Sequence, residues 1–325
     1  LASPVDQAGG LDPFAVRRLG EITASIDQSM NLGANAALEP LEFNSSRGEA
    51  RMRSTKLRVG AVSYLNTKPL IRHLPELAPQ IDLVLEVPSR LATSLAEGNL
   101  DVALIPSIEF FRGTNYTILP GASISSFGPV MSVKLCSKVP FGSIQSVALD
   151  EGSRTSIALM TILLHHLFGI RPSMVPFPLR QGPAEMTTDS CLIIGDRAMK
   201  VSDGAYPFTL DLGYEWSRWT GLPFVFAFWS VRAGVEISES VAEAFVQAKE
   251  LGRKEIASIV ADESQRLGID EARCRHYLEN VIRHDFGPPE MAGLERFYEL
   301  ALEEGLAPEG VQCVFHGSGN LAASR

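Results

Sequence analysis

The 325-residue sequence has no long apolar run. Nothing approaches the 18 or more apolar residues of a membrane span, and the longest candidate, "LPFVFAFWSV" from Leu222, has the length of a strand. Cysteine is scarce. Cys136, Cys191, Cys274 and Cys313 are scattered without CxxC or Cys/His ligand spacing, which argues against a disulfide framework and fits thiols in a reducing cytoplasm. The six histidines form no metal motif. His165 and His166 are adjacent, about 100° apart on a helix, and cannot chelate together in the HExxH manner. Glycine-rich phosphate loops are also missing: there is neither GxGxxG nor GxxxxGK[ST], so neither a dinucleotide nor a P-loop nucleotide is expected. Positive charge is in deficit, with 29 Lys+Arg against 38 Asp+Glu and a net charge of -9, which argues against nucleic acid or an anionic membrane as partner. No metal and no cofactor are expected.

What remains is the composition of a globular α/β protein long enough for one large or two medium units. Residues 1–51 carry neither alternation nor sustained helical periodicity, and no basic stretch followed by an apolar one marks a secretory signal. One short amphipathic helix fits "FAVRRLGEITASI"; otherwise residues 1–56 are expected to be a disordered extension. The chain opens on Leu1, and Met52, just before the first strand, is the expected natural start.

From Leu57 the pattern becomes strand, loop, helix, repeated. "LRVGAV", "DLVLEV", "DVALIPS", "VMSVKLC", "SVALD", "SMVPF", "CLIIG" and "PFVFAFWSV" read as strands, with Ser89 as a helix cap and the longest apolar helix over 154–168. Such alternation predicts mostly parallel sheets with helices on both faces. Val241, Phe245, Ala248 and Leu251, and again Met291, Leu294, Phe297 and Ala301, fall at helical spacing, so the C-terminal third is helical. Residues 309–325 read as a loose tail.

In open α/β sheets ligands bind beyond the carboxyl ends of the strands. After the first strand come Ser63, Tyr64, Asn66 and Thr67, four hydrogen-bonding side chains with no strong acid or base among them. Asn66 or Thr67 as a helix cap ahead of Pro69 accounts for one of them, not four. Tyr64 offers a flat apolar face with a polar tip, and Asn66 both a donor and an acceptor, a set suited to a small, polar, ring-shaped ligand. Ser107 follows "DVALIP", Ser132 lies in "FGPVMS", and Asp196 and Arg197 follow "CLIIG". In "DEGSRTSIAL", Ser153, Arg154, Thr155 and Ser156 open a helix after Gly152; they read either as an anion pocket at a helix N-terminus or as ordinary capping.

Together, "VGAVSYLNTKPL", "GNLDVALIPSIEF", "GPVMSVKL", "LDEGSRTSIALMTILL", "LIIGDRAM" and "DLGYEWSRWTGLPFVFAFW" resemble, in order, the motifs of the chorismate dehydratase family, the first enzymes of the futalosine route to menaquinone. The resemblance runs from Leu57 to about Pro308 and leaves the N-terminal segment outside it. It implies a cytoplasmic hydro-lyase converting chorismate to 3-[(1-carboxyvinyl)oxy]benzoate and water. The implied fold is that of type II periplasmic binding proteins, two α/β lobes of mixed, mostly parallel sheets around a cleft, with a helical C-terminal region. Residues 57–138 and 226–308 would form lobe one and 139–225 an inserted lobe two. "SYLNT", Ser107 and Ser132 would line one side of the cleft and "GSRTS" the other. Asn66 and Ser132 would be catalytic; Ser63, Tyr64, Thr67, Ser107, Ser153, Arg154, Thr155, Ser156 and Asp196 would bind substrate. The substrate's own enolpyruvyl carboxylate is the expected base, with Glu109, Asp150 and Asp196 as alternatives. The rivals are the sister enzyme that forms a dihydroxynaphthoate from a cyclic futalosine derivative, and a non-catalytic binding protein for a small aromatic acid. Oligomeric state, monomer or homodimer, is not fixed by the sequence.

Overall fold

The computed structural model describes residues 56–150, 152, 154–177, 186–202 and 204–317. The expected extension, apart from Lys56, and the proposed start at Met52 lie outside them. Among the described residues eleven strands form two sheets. The first has the order β11-β4-β10-β3-β1-β2, from β1 (Leu57–Val62), β2 (Ile81–Glu86), β3 (Val102–Pro106), β4 (Thr117–Ser126), β10 (Phe224–Val231) and β11 (Ile282–Arg283). The second has the order β7-β6-β8-β5-β9, from β5 (Val133–Ser137), β6 (Ser146–Asp150), β7 (Ser173–Phe177), β8 (Ser190–Ile194) and β9 (Phe208–Asp211).

The helices are α1 (Lys68–Ile71), α2 (Leu74–Leu77), α3 (Pro88–Ala96), α4 (Ser107–Arg112), α5 (Arg154–Phe168), α6 (Gly195–Met199), α7 (Leu212–Thr220), α8 (Glu239–Lys254), α9 (Ile256–Leu267), α10 (Glu271–His276) and α11 (Pro288–Glu303). Among the described residues no helix is long and apolar enough to cross a membrane.

Central strands are apolar without alternation because both faces are covered: every residue of β3, β5, β8 and β10 is buried. Edge strand β2 alternates imperfectly and leaves Val84 and Leu85 exposed. Trp216 on α7, Phe224 on β10 and Phe297 on α11 pack edge to face where the chain returns from the second sheet to the first, with Phe224 5.1 Å from Trp216 and 4.9 Å from Phe297 between ring centroids. Burying each such ring is worth about 1.5–3 kcal/mol, so the return between sheets is a firm packing site.

Several expectations change. Among the described strands parallel pairing joins β1 with β2 and β3, and β6 with β7 and β8; β10 runs antiparallel between β3 and β4, and β5 antiparallel between β8 and β9. The sheets are therefore mixed, as the implied fold requires, but parallel only where a crossover helix joins the strands. The boundary expected at 138/139 falls earlier. β5 joins the second sheet through β8 and β9, so the chain crosses between Ser126 and Val133 and returns after Asp211, before Phe224. Every residue of β5 is buried, and its pattern does not reveal which sheet it joins.

Ser89 does not cap α3. Val87 holds that position and Ser89 is buried in the first turn after Pro88. The described part of the expected tail, up to Gly317, docks on β4: the Ile118 amide donates to Val314, the His316 amide donates to Ile118, and Phe315 bridges Ile118. Cys136 and Cys191, far apart in sequence, face each other across β5 and β8 as buried free thiols.

Candidate active site

β1 ends at Val62, and the chain turns through a single 3-10 turn (Leu65–Thr67) into α1. Thr67 occupies the N-cap position of α1, but neither it nor Tyr64 makes a side-chain capping bond. The polar side chains are spent elsewhere, so capping does not explain the cluster. The Thr67 hydroxyl donates to Asn66 Oδ1 (3.2 Å), Asn66 Nδ2 donates to the Tyr277 hydroxyl (3.2 Å), and that hydroxyl donates to Ser132 Oγ (2.8 Å). The chain of hydrogen bonds runs one way. Each link is fed from behind, and Asn66 keeps one N–H and Ser132 its O–H to donate onward. Tyr277 is fully buried, and burial above all holds its phenol above the ordinary range, so it stays neutral.

Asn66 and Ser132 line a cleft of about 550 Å³ of empty space, counting its open mouth. The first sheet contributes Val62, Tyr64, Asn66, Ile124 and Phe226; the second contributes Ser132, Gly152, Thr155, Ser156 and Gly195. Ser132 therefore comes from the second-sheet side, not the side of Asn66 where it was expected. The Tyr64 ring crosses between them. A Cβ on Gly195 would lie 2.9 Å from that ring, and Gly195 has φ +61, so both space and backbone require glycine there. Burial first, then the nearby Asp150 and Asp196, push the Tyr64 phenol well above its usual pKa.

The start of α5 turns its first residues to the cleft, where a helix leaves N–H groups without intrahelical partners. Arg154 and Ser156 line it, while Thr155 also accepts the Ile108 amide from α4 at 3.2 Å, tying the second sheet to the first. Arg154 does not point outward. It reaches Glu109 of α4 at 2.7 Å and Thr93 at 3.3 Å. Ser153 lies outside the described residues.

Four expected binding residues, Ser63, Thr67, Ser107 and Asp196, do not line the cleft. The Ser107 hydroxyl is consumed by the Val225 carbonyl (2.6 Å) beneath it, Thr67 acts through Asn66, and Ser63 follows the backbone of β1 alongside Glu86. The three candidate bases are also outside the lining and committed. Glu109 is held by Arg112 and Arg154, Asp150 accepts from Gly152 N and Arg197 (3.1 and 3.2 Å), and Asp196 accepts the Leu65 amide (3.1 Å).

Tyr277 and His284 are absent from the sequence reading. They sit in the π-helical turn Tyr277–Val281 and just after β11; Cys274, Tyr277, Leu278 and Val281 keep helical spacing, so Tyr277 reads from the sequence as ordinary buried helix face. His284 Nε2 carries its proton, because it donates to the Asn66 carbonyl at 2.7 Å. Burial drives the His284 pKa down from 6.5 to about 4. A histidine held neutral in this way contributes stability present in full above pH about 6.5 and lost as pH falls toward about 4, on the order of 3 kcal/mol. Urea unfolding between pH 7 and pH 4 should show that loss, and His284→Gln should flatten it. An unchanged slope in the variant would remove His284 from the account.

Away from the cleft, His165, His166 and Glu304 cluster with metal-ligand chemistry. The guanidinium of Arg171 lies 2.6 Å from Glu304 and 3.1 Å from His165 Nδ1, so the positive charge of the cluster is already supplied by the protein.

Compared with known proteins, the chain is 29% identical over 260 residues to a chorismate dehydratase of Thermus thermophilus, covering 74% of this chain and 93% of that one. It is 27% identical over 254 residues to a chorismate dehydratase of Campylobacter jejuni, covering 76% and 99%. Among solved structures it matches protein AF1704 of Archaeoglobus fulgidus with TM-score 0.61 at 19% identity, covering 78% and 99%. It also matches a Candida albicans protein described as having the generic periplasmic binding protein fold, with TM-score 0.50 at 12% identity, covering 79% and 92%. These two likenesses establish a two-lobed periplasmic-binding-protein-like architecture. A family model described as menaquinone biosynthesis matches residues 57–303, most of the chain. The chain belongs to the menaquinone biosynthesis family.

Proposed function

We propose that the protein is a cytoplasmic chorismate dehydratase that forms 3-[(1-carboxyvinyl)oxy]benzoate and water, in the futalosine route to menaquinone. The observation that carries this reading is the one-way relay from Thr67 through Asn66 and Tyr277 to Ser132, which aims neutral donors into the cleft while Glu109, Asp150 and Asp196 are held by other partners.

Chorismate carries a ring carboxylate, an enolpyruvyl ether at C3 and a hydroxyl at C4. Loss of the C3 proton and the C4 hydroxyl makes the ring aromatic, which drives the reaction. The C3 proton is acidified through the ring alkene by the ring carboxylate. The enolpyruvyl carboxylate of the substrate takes that proton, and the electron pair spreads into the ring carboxylate. The C4–O bond then breaks, and the departing hydroxide takes up the proton released by the enolpyruvyl carboxyl, leaving as water.

A cleft serving this sequence needs donors and a fixed pose more than a base of its own. Asn66 and Ser132 supply donors for the reacting edge, Arg154 and the start of α5 an anchor for a carboxylate, and Tyr64, Ile124 and Phe226 an apolar bed for the ring. The neutral set in the cleft supports a substrate-borne base.

Incubating the purified protein with chorismate alone should give a product lighter by one water with aromatic absorbance. Chorismate that bound and came through unchanged would make the protein a binding protein. Absence of both binding and turnover, with turnover of the cyclic futalosine derivative, would assign it to the sister step.

A further inference from the structure

Ser132 enters the cleft from an unusual backbone. Met131 has φ +62, a left-handed conformation rare outside glycine, and the Ser132 amide donates to the Val130 carbonyl at 2.7 Å, closing a three-residue turn around it. Such a turn does not hold itself. Its outward amides converge on one side chain: Val130 N donates to Asp211 Oδ1 (2.9 Å) and Met131 N to Asp211 Oδ2 (2.7 Å). Asp211 ends β9, where its backbone pairs with Lys134 of β5, so the carboxylate is fixed relative to the strand that Ser132 precedes. On the other side the Ser132 carbonyl accepts the Gly195 amide at 2.8 Å. Val130 and Ser132 line the cleft, whereas Met131 and Asp211 face a separate hollow behind it, shared with Lys134, Asp270 and Arg273.

We propose that Asp211 is a positioning residue: its carboxylate holds the left-handed turn at Met131 that delivers the Ser132 hydroxyl to Tyr277 and to the substrate. The proposal rests on the dehydratase reading, in which Ser132 touches chorismate. A carboxylate is required because two consecutive N–H groups must be accepted by two separate oxygens. An amide in its place turns an NH2 group toward one of those donors. The turn then relaxes, the Ser132 hydroxyl swings off the relay, and a displacement of about 1 Å at a reacting group is enough for a loss of about 10²-fold. Asp211 also accepts the Tyr214 amide at 3.0 Å and so caps α7, a purely structural role that must be separated from the first.

The separating experiment is rescue. Asp211→Asn should lower kcat for chorismate by about 10–100-fold with KM changed far less. Adding Met131→Gly, which accepts the left-handed backbone without strain, should restore most of the lost kcat. A folded Asp211→Asn enzyme with wild-type kcat overturns the proposal, and so does a loss that Met131→Gly leaves in place, since capping of α7 does not depend on the backbone at 131. If Asp211→Asn does not fold, Met131→Val tests the same turn with Asp211 intact, because a β-branched side chain resists positive φ. A drop in kcat there supports the proposal, and wild-type kcat contradicts it. Failure of the dehydratase reading is seen separately, as a wild-type protein inert toward chorismate. Hydrogen exchange at the Met131 amide then decides the turn: Asp211→Asn should accelerate it, and an unchanged rate overturns the clamp.

Discussion

Asn66→Ala is expected to lower kcat for chorismate by about 10²–10³-fold, the usual effect of deleting a donor aimed at developing negative charge, while KM moves much less. The loss exceeds one donor. Asn66 is the middle link of the relay, and without it the Thr67 hydroxyl loses its acceptor and the buried Tyr277 hydroxyl loses the donor behind it. Tyr277→Phe keeps the buried ring and deletes one oxygen. It should cost about 10-fold by releasing the Ser132 hydroxyl, and combining it with Asn66→Ala should cost much less than the product of the two effects, as for residues of one network. Steady-state kinetics on the appearance of aromatic absorbance measures all three. Full additivity would mean that Asn66 and Tyr277 act separately and that the relay is geometry without consequence.

The largest effect on stability is expected at Gly252, in the last turn of α8. A Cβ there would overlap the Pro69 carbonyl of α1. Both partners are backbone, so no side chain can rotate to relieve the clash and the two helices must separate. Gly252→Ala should cost about 3 kcal/mol or more, the upper range for overpacking, and lower Tm by on the order of 10 °C. Pro69 stands three residues after Asn66, so the displacement propagates into the site. Thermal unfolding and kcat measured on one preparation should fall together. A fall in Tm with intact kcat would show that α1 moves without taking the turn at Asn66 with it.

How much of this was legible in the sequence depends on what each residue's pattern can encode. Polar residues after an apolar strand mark the cleft end of a sheet, and Tyr64, Asn66, Thr155 and Ser156 line the cleft there, as does Ser132 in the turn before β5. The same signal misplaces Ser107, because which way a hydroxyl at a strand end points depends on the strand beside it, and β10 offers it the Val225 carbonyl. Tyr277 was out of reach for another reason. It lies 211 residues from Asn66 and 145 from Ser132, at an apolar helical spacing that reads as plain core, and only the fold brings the three together. β5 was read as a strand but assigned to the wrong sheet, since an all-buried run carries no information about its neighbours. Asp211 could not be read at all, because its importance comes from a left-handed residue 80 positions away.

The position of β10 has a consequence for how the protein is made. This strand lies between β3 and β4, yet it is synthesised after every strand of the second sheet. A nascent chain ending between Ser126 and Phe224 already carries β3 and β4 but not the strand that joins them. Each then offers an open row of N–H and C=O groups, the condition that invites pairing with other chains. The second sheet is drawn from one contiguous stretch, Val133 to Asp211, and is able to close while the first still waits. On the ribosome the middle of the sequence can therefore mature before its beginning, and the period in which a chaperone matters most runs from the emergence of β4 to that of β10.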